Sequence, residues 1–507
     1  MASTFRGLET GKSALVTASL NQDVTGQNIA NANTTGYTRQ STVSSAVKPA
    51  GTGYVISQVY NKMVGQGVQV TDIQQYRSDY LDQQYRSQNS TFNYYEYRQQ
   101  GLTYLTGVMN ELDDDSSITS CLSDFSTALK KFAADPTSQE CRLNVQQQAS
   151  TLTQNVNYIY NQMVDLWNDQ NESVNTVTQN IQSKADQIAV LNEAIANYER
   201  SGTTANDLRD DRNVLLDELS GLVNVTYNIN ADNSSMVDVQ IGGQTLVDGS
   251  TANQITATKS GTADAVTGGY AYELSLSGKD EDGNPTSTAL SYGNQITGGE
   301  LYAHMEMVNN NTSENSGIPY YISQLNAFAQ QIAESVNTIH EQGYTYPTTE
   351  GGSTKTGVDF FDVPDGGYSQ ITGGNFSLSD EVKDSVWNIA ASAKPIDLSA
   401  SSTNADNSDI AEQLYELASG GTFNSTLNTF VGSLSIASDT TKGLLNTSQS
   451  MLSSVSTQRT SLSGVSLDEE TTNLIMFQQS YSVASRMVTT IDEMLNTLIN
   501  STGRVGL

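Results

Sequence analysis

At 507 residues the chain is long enough for roughly two to four domains with cores of their own. Its formal charge of -31, from 24 basic against 55 acidic residues, leaves no excess of Lys and Arg to displace counterions from a phosphate backbone, which excludes nucleic acid as a partner. Nowhere do about 18 apolar residues follow one another, so no membrane span and no membrane partner are expected.

Residues 3–30 carry a helical stripe of Phe5, Leu8, Leu15, Val16, Leu20, Val24 and Ile29. Gly7, Gly11 and Gly26 each cost about 1 kcal/mol relative to Ala in a helix interior, so this helix is expected to be marginal alone. The sequence from Asn28 to Gln40, NIANANTTGYTRQ, follows, and its Asn and Gly residues suit a helix exit through positive φ. Gly7, Gly11, Lys12 and Ser13 imitate a phosphate loop, but only three residues separate the glycines where four are needed, and no strand precedes them. The first 20 residues also lack the charged and then apolar run of a cleavable secretory signal, while the Ser, Thr, Asn, Gln and Gly content suits an exported surface. Another export route is therefore expected.

Residues 41–72 read as an extended hairpin region with Val55, Ile56, Val59, Met63, Val64, Val68 and Val70. Helices are expected over the Tyr-rich stretch 73–112 and from Leu122 to Ala134, with Asp113, Asp114 and Asp115 as a solvated turn that lacks the further oxygens of a calcium loop. From Trp167 a long seam runs through Gln170, Val174, Val177, Ile181, Lys184, Ile188, Leu191, Ile195 and Tyr198, and Leu208, Leu215, Leu219 and Leu222 extend the theme into a bundle. At Val223 the pattern changes to short alternating runs, VNVTYNI, MVDVQI, ITATKS and YAYELSLS, which read as one inserted β domain; DEDGN at 280–284 reads as a turn. Helix returns at Ile318 to Glu341, and Pro347, Pro364 and Pro395 then mark irregular structure.

From near Ser408 the helical rhythm resumes, with Leu434, Ala437, Thr441, Leu444, Ser448, Met451, Val455 and Leu462. After Ser463 and Gly464 comes the strongest signal in the chain, Leu474, Phe477, Tyr481, Ala484, Val488, Ile491, Leu495 and Leu498 at alternating steps of three and four, a coiled-coil seam. Ser466 and Glu469 have capping-box spacing, Asp468, Glu469 and Glu470 stand at the positive end of the helix dipole, and Gly503 marks the stop. A helix over Leu467 to Asn500 would be about 50 Å long and needs a partner throughout.

The fold class is thus mainly α with a β insert, a bundle or coiled coil built from both termini and the central helices. The expected segments are 1–40 (N-terminal helix and motif loop), 41–222 (hairpin region and bundle), 223–299 (β insert), 300–342 (bundle helix), 343–407 (irregular), 408–465 (bundle helix) and 466–507 (C-terminal coiled-coil helix). Chemistry is not legible. The chain has two histidines, His304 and His340, both in or near helical patterns, no G-x-S-x-G motif and no zinc-spaced cysteines. No catalytic residue, cofactor or metal is expected, and the chain is read as a non-enzyme. Cys121 and Cys141 read as free or structural thiols, with one bridge between them left open.

NIANANTTGYTRQ near the start and SGVSLDEETTNLIMFQQSYSVASRMVTTIDEMLNTLI near the end resemble the termini of bacterial flagellar axial proteins, and specifically the hook-associated protein 1 family. The segment NDLRDDRNVLLDELSGLVNVTYNI is similar to that family's passage from bundle to β domain. The resemblance implies export through the flagellar type III apparatus, an extracellular place at the hook tip, and a ring of copies joining hook to filament. Implied partners are the hook protein, the second hook-filament junction protein, further copies of the chain, and an export chaperone at the C-terminal region. The implied subunit-interface residues are Leu8, Leu15, Asn28, Ile29, Asn31, Asn33, Gly36, Tyr37 and Arg39 in the N-terminal part. In the C-terminal seam they are Leu474, Phe477, Tyr481, Ala484, Val488, Ile491, Leu495 and Leu498. Flagellin, hook or second junction protein, and a non-flagellar coiled-coil adhesin or translocator, are the alternatives. The termini are expected to stay largely disordered in a free subunit and to fold when neighbours cover them.

Overall fold

The computed structural model describes residues 6–47, 67–109, 117–279, 285–349, 352–399 and 404–501. Phe5, the stretch Val55 to Val64, Asp113 to Asp115, the DEDGN turn and Gly503 lie outside the described residues.

In chain order the elements are α1 (Arg6–Ala30), β1 (Gln40–Ala46), β2 (Val68–Gln75), α2 (Asp79–Met109), α3 (Ile118–Ala134), α4 (Gln139–Glu199) and α5 (Asn206–Leu222). Strands β3 (Val225–Ile229), β4 (Val237–Ile241), β5 (Gln244–Asp248), β6 (Thr251–Ala252), β7 (Gln254–Lys259), β8 (Tyr272–Lys279) and β9 (Pro285–Leu290) follow. Then come α6 (Gly299–Asn309), α7 (Ile318–His340), α8 (Asp380–Asp384), α9 (Asp409–Ser419), α10 (Thr422–Ser463) and α11 (Leu467–Ser501). The seam expected from Trp167 is the second half of α4, a helix of 61 residues. Lys184 lies on the border of its buried face, where it pairs with Glu218, and Tyr198 is exposed rather than seated in the seam.

The chain divides into two compact units. The first holds Met1–Asn89, Ile181–Gln254 and Ser450–Leu507, the second Ser90–Asn180 and Ile255–Gln449, so α2, α4 and α10 each carry residues of both. The β insert expected over 223–299 is therefore corrected: β3-β4-β5-β6 form one sheet in the first unit, and β7-β8-β9 form another that begins at Gln254. Turn-rich sequence at every strand end gave no sign of which strands share a sheet, because short-range alternation fixes faces but not pairing.

The second unit contains a large aromatic and aliphatic core. α3 starts at Ser117, whose hydroxyl accepts a hydrogen bond from Ser120 N–H at 3.0 Å, and buries Ile118, Leu122, Phe125, Leu129 and Phe132 at helical spacing. These meet Trp167, Tyr321, Phe328 and the Phe360, Phe361 and Phe376 cluster, in which successive ring centroids lie 4.9 and 4.8 Å apart. The irregular stretch after α7 is held by buried polar side chains instead of a sheet. Asn337 Oδ1 accepts from the N–H groups of Phe360 and Phe361 at 2.9 and 2.8 Å and its amide donates to Phe361 O at 2.9 Å. His340 Nδ1 lies 2.6 Å from Val358 O, and its Nε2 accepts from Ala390 N–H at 2.8 Å. Those partners make it a neutral imidazole, and burial holds its pKa down at about 4. His304, also buried, is 2.6 Å from Gln170 Oε1. Arg142, fully buried and with no carboxylate partner among the described residues, donates to Pro136 O at 2.9 Å and to Ile389 O and lies over Phe132, Tyr346 and Trp387. Cys121 and Cys141 are free thiols.

In α10 the buried residues are Phe423, Leu427, Phe430, Leu434, Thr441 and Ser448. Leu444, Met451 and Leu462, expected on that face, are exposed. The buried line keeps steps of seven through Leu427, Leu434, Thr441 and Ser448, while the interleaved set of Leu444 and Met451, which a coiled-coil seam would also bury, turns to solvent.

Candidate functional site at the root of the terminal helices

In the first unit α1 packs on α11. The pairing is antiparallel: Gly7 faces Ile491, Gly11 faces Val488, and Asn28 bonds Glu470. A Cβ on Gly11 would stand 2.8 Å from Val488 Cγ2 and one on Gly7 3.0 Å from Ile491 Cδ1, whereas one on Gly26 would meet nothing within 4 Å. Two of the three glycines read as weak points in the helix are thus the places where its partner comes closest. They also settle the imitation phosphate loop, since Gly7 and Gly11 are helical packing positions and Ser13 Oγ donates to Thr10 O at 2.9 Å.

Along α11 Ala484 is buried, and Leu474, Phe477, Val488, Ile491 and Leu495 are partly buried. Tyr481 and Leu498 remain 44% and 50% exposed. On α1 Leu8, Leu15 and Ile29 are partly buried, Val24 is buried, and Val16 faces solvent. A second apolar set on α11, Ile475, Met476, Val483, Met487, Met494 and Ile499, is exposed and was not weighed in the sequence.

The other end of the pair is a polar buckle. Asn28 uses its full hydrogen-bonding capacity: its amide donates to Gln40 O at 2.9 Å and to Glu470 Oε2 at 3.0 Å, and its Oδ1 accepts from Tyr37 O–H at 2.8 Å and Gln40 N–H at 3.0 Å. Arg39 clasps the start of α11, with Nη1 3.0 Å from Glu469 and both Nε and Nη2 2.8 Å from Glu470. Its backbone N–H donates to Ser463 O at 2.9 Å, the last residue of α10. Ser466 caps α11 by accepting from Glu469 N–H at 3.5 Å, but the Glu469 side chain points to Arg39 and does not close the capping box.

Behind the motif, α5 supplies carboxylates. Thr38 donates to Asp210 through both its N–H (2.9 Å) and hydroxyl (2.7 Å). Arg77 joins Asp82 at 2.5 Å to Asp210 at 3.4 Å. Arg459 of α10 joins Asp82 (2.7 Å) to Asp217 (2.6 Å) while lying over the Tyr85 ring at 4.7 Å, and Arg86 is 2.7 Å from Asp217. Burial pushes the Asp210 carboxyl up against the opposing hydrogen bonds of Thr38 and the Arg77 charge. The Tyr37 phenol is raised too, by burial first and then by Asp207, Asp210 and Glu470, so it stays a donor. Burial alone would lower the Arg459 guanidinium, but Asp217 and Asp82 outweigh it and raise it. Gly36, at φ +82°, is required twice, since a Cβ would also fall 2.1 Å from Val214 Cγ2 of α5. Between motif and α10 lies a cleft of about 560 Å³ lined by Thr35, Gly36, Arg77, Tyr85 and Arg459.

Of the residues expected at a subunit interface, Asn28, Tyr37 and Arg39 are engaged within the chain, while Asn33 and Gly36 are exposed. Asn31 does not adopt the expected positive φ; among the described non-glycine residues only Asn315 and Asn404 do, and the Asn31 amide donates to Gln27 O at 3.1 Å. The sequence reading missed Arg77, Arg86, Arg459, Asp82, Asp210 and Asp217. A signal existed: Asp82, Arg86 and Ser90 recur every four residues as a buried polar line, and Asp210, Asn213 and Asp217 put polar side chains at steps of three and four on one face of α5. The chemistry is that of mutual charge neutralisation and hydrogen bonding, and among the described residues no group of three or more His, Cys, Asp or Glu could hold a metal ion.

Comparison with known proteins separates the two termini from the middle of the chain. Residues 102–361 match the family model for the helical domain of flagellar hook-associated protein FlgK, residues 8–38 that for flagella basal body rod protein, and residues 456–501 that for the C-terminal part of flagellar basal body rod FlgEFG protein. The two terminal matches cover α1 with its motif and α11 with the end of α10. Flagellar hook-associated protein 1 of Bacillus subtilis is 30% identical, with 99% of both chains covered, and that of Escherichia coli is 24% identical, with 97% of this chain and 98% of the relative covered. The flagellar hook junction protein FlgK from Burkholderia pseudomallei has the same fold, with a TM-score of 0.59 over 75% of this chain and all of that one at 15% identity. The chain belongs to the flagellar hook-associated protein 1 family.

Proposed function

We propose that the chain is a structural, non-catalytic subunit of the bacterial flagellum that assembles as a ring at the hook tip and joins hook to filament. The observation that carries this is the terminal pair: an α11 of 35 residues covers α1 on one side and keeps Ile475, Met476, Val483, Met487 and Met494 open on another. An apolar face of that length favours association with further helices. The match of residues 102–361 to the helical domain supports a hook-associated protein over flagellin or hook protein.

In this role the partners are further copies of the chain, the hook protein and the second hook-filament junction protein, with an export chaperone at the C-terminal region before type III export to the extracellular flagellum. Leu8, Leu15, Ile29, Leu474, Phe477, Tyr481, Ala484, Val488, Ile491, Leu495 and Leu498 form the paired layer, and Asn31, Asn33 and Gly36 the motif surface beside it. Asn28, Tyr37 and Arg39 serve that interface by positioning it.

The test is Ile491→Asp with Leu495→Asp. Each puts a charge without a partner at a partly buried seam position, and the desolvation cost grows when neighbouring subunits cover that seam. Trp167 and Trp387, the only tryptophans, both lie in the second unit, so unchanged tryptophan fluorescence reports that this unit still folds. Labelled antibody should then find the wild-type chain at one point per flagellum and the variant absent from it. Normal junctions built by the variant would exclude the paired layer as the assembly element.

A further inference from the structure

We propose that Met476, Met487 and Met494 are methionine oxidation sites on the open face of α11, and that their conversion to sulfoxides by a peroxide stops the free subunit from associating through that face. The second half rests on the assembly role argued above, and the first concerns the free chain alone.

Three observations carry it. The first is spacing. Met476, Ser480, Val483, Met487, Thr490 and Met494 follow one another at alternating steps of four and three, so α11 carries a second helical line beside the one that meets α1. No charged residue stands in it. The second is accessibility. Met476, Met487 and Met494 are 52%, 42% and 61% exposed, whereas Met109, Met163, Met305 and Met307 are buried in the second unit. Among the described methionines only Met451, on α10, is comparably open. The third is the state of the hydroxyls in the line. Ser480 donates to Met476 O and Thr490 to Arg486 O, each at 2.9 Å, so both protons are held within α11.

The chemistry follows from these positions. A thioether sulfur attacks one oxygen of hydrogen peroxide, the O–O bond breaks, and after proton transfer the products are a sulfoxide and water. Sulfur is oxidised by two electrons and the peroxide is reduced by them. The new S–O group is a strong acceptor with no proton of its own. On an open helix water satisfies it. Between packed helices it would be buried beside Val483 and hydroxyls already engaged, so association carries the penalty of an unsatisfied polar group. Oxidation thus works against the assembled state while leaving the fold of the free subunit intact, and packing in turn shields the thioethers of a subunit already in place.

Hydrogen peroxide applied to the purified full-length chain tests this, with peptide mass spectrometry following each methionine. Met476, Met487 and Met494 should gain oxygen about tenfold faster than Met163, Met305 and Met307, or more. The treated chain, added to cells that lack it, should be missing from hook tips where labelled antibody finds the untreated chain. Reduction by methionine sulfoxide reductases A and B should bring it back without any variant. A chain carrying Met476→Leu, Met487→Leu and Met494→Leu, which conserve volume at exposed positions, should reach the tips before and after peroxide. Equal oxidation of the open and buried methionines overturns the proposal, and so does a treated chain that reaches the tips undiminished. A chain that stays away after its sulfoxides are reduced, or a Leu variant that peroxide disables as it does wild type, places the lesion at another residue and overturns it too. Absence of the untreated chain from the tips is the failure of the assembly role itself: it removes the second half, and the oxidation rates still decide the first.

Discussion

Asn28 concentrates more structural information than any apolar residue of the terminal pair. Its two donors and its acceptor oxygen connect α1, the motif loop, β1 and α11, and no other side chain of its size offers both signs of partner. Asn28→Ala leaves the Gln40 N–H and O, the Tyr37 hydroxyl and one Glu470 oxygen short of a partner. A loss of about 1–3 kcal/mol is expected, the cost of buried groups left unsatisfied. Asn28→Asp should be worse, because it sets a carboxylate against Glu470 and removes the donors. Exchange rates of the α1 amides next to Asn28 would measure both, and an Asp variant as protected as wild type would contradict the hydrogen-bond assignment. The role of Asn28 was half legible in the sequence. Its place in a motif loop was clear, but an Asn that exits a helix and an Asn that ties two ends of a chain look alike until residue 470 is brought beside residue 28.

Among the elements, α1 and α11 separate what periodicity can tell from what it cannot. The three-four rhythm of Leu474 to Leu498 gave the helix, its cap and its need of a partner, because helical spacing is local. Which side stays open is not local: Tyr481 and Leu498 share the rhythm with Ala484 yet differ from it in burial. The glycines make the same point with opposite signs. At Gly26 nothing lies within 4 Å, so Gly26→Ala should stabilise α1 by about 0.5–1 kcal/mol through backbone entropy alone. At Gly11 the facing Val488 methyl leaves no room, and Gly11→Leu should separate the pair despite the better helix propensity of Leu. Circular dichroism and exchange at α11 distinguish the two. If Gly11→Leu protected α11 as Gly26→Ala does, close approach would not be the reason for glycine there. The β strands were found individually and misgrouped for a related cause, since sheet membership is set by pairing between segments and not by alternation within one.

For the whole molecule, an excess of 31 negative charges changes little between pH 5.5 and 7.5, where ordinary carboxylates are already ionised and only two histidines are present. Perturbed groups of the second unit therefore dominate its stability in that window. Burial, and after it the hydrogen bond and charge of Glu341, raise the Asp359 carboxyl to about 6. A carboxyl whose folded pKa exceeds its unfolded value binds a proton more tightly in the folded state. Its stabilisation is complete below the ordinary range near 4 and is lost as pH rises through about 6. His340 works in the other sense. With its pKa depressed to about 4 by burial, its contribution is complete above the unfolded value near 6.5 and is lost as pH falls toward 4. Between about pH 4 and 6 the two slopes oppose each other, and above about pH 6 the His340 slope alone persists until it ends near 6.5. Urea unfolding followed by the fluorescence of Trp167 and Trp387 should thus give a midpoint at pH 7.5 slightly above that at pH 5.5. Asp359→Asn should widen that rise and turn the flat region below pH 6 into a decline toward acid, because the charging of His340 on unfolding is then unopposed. A variant with the same pH profile as wild type would remove Asp359 from the account.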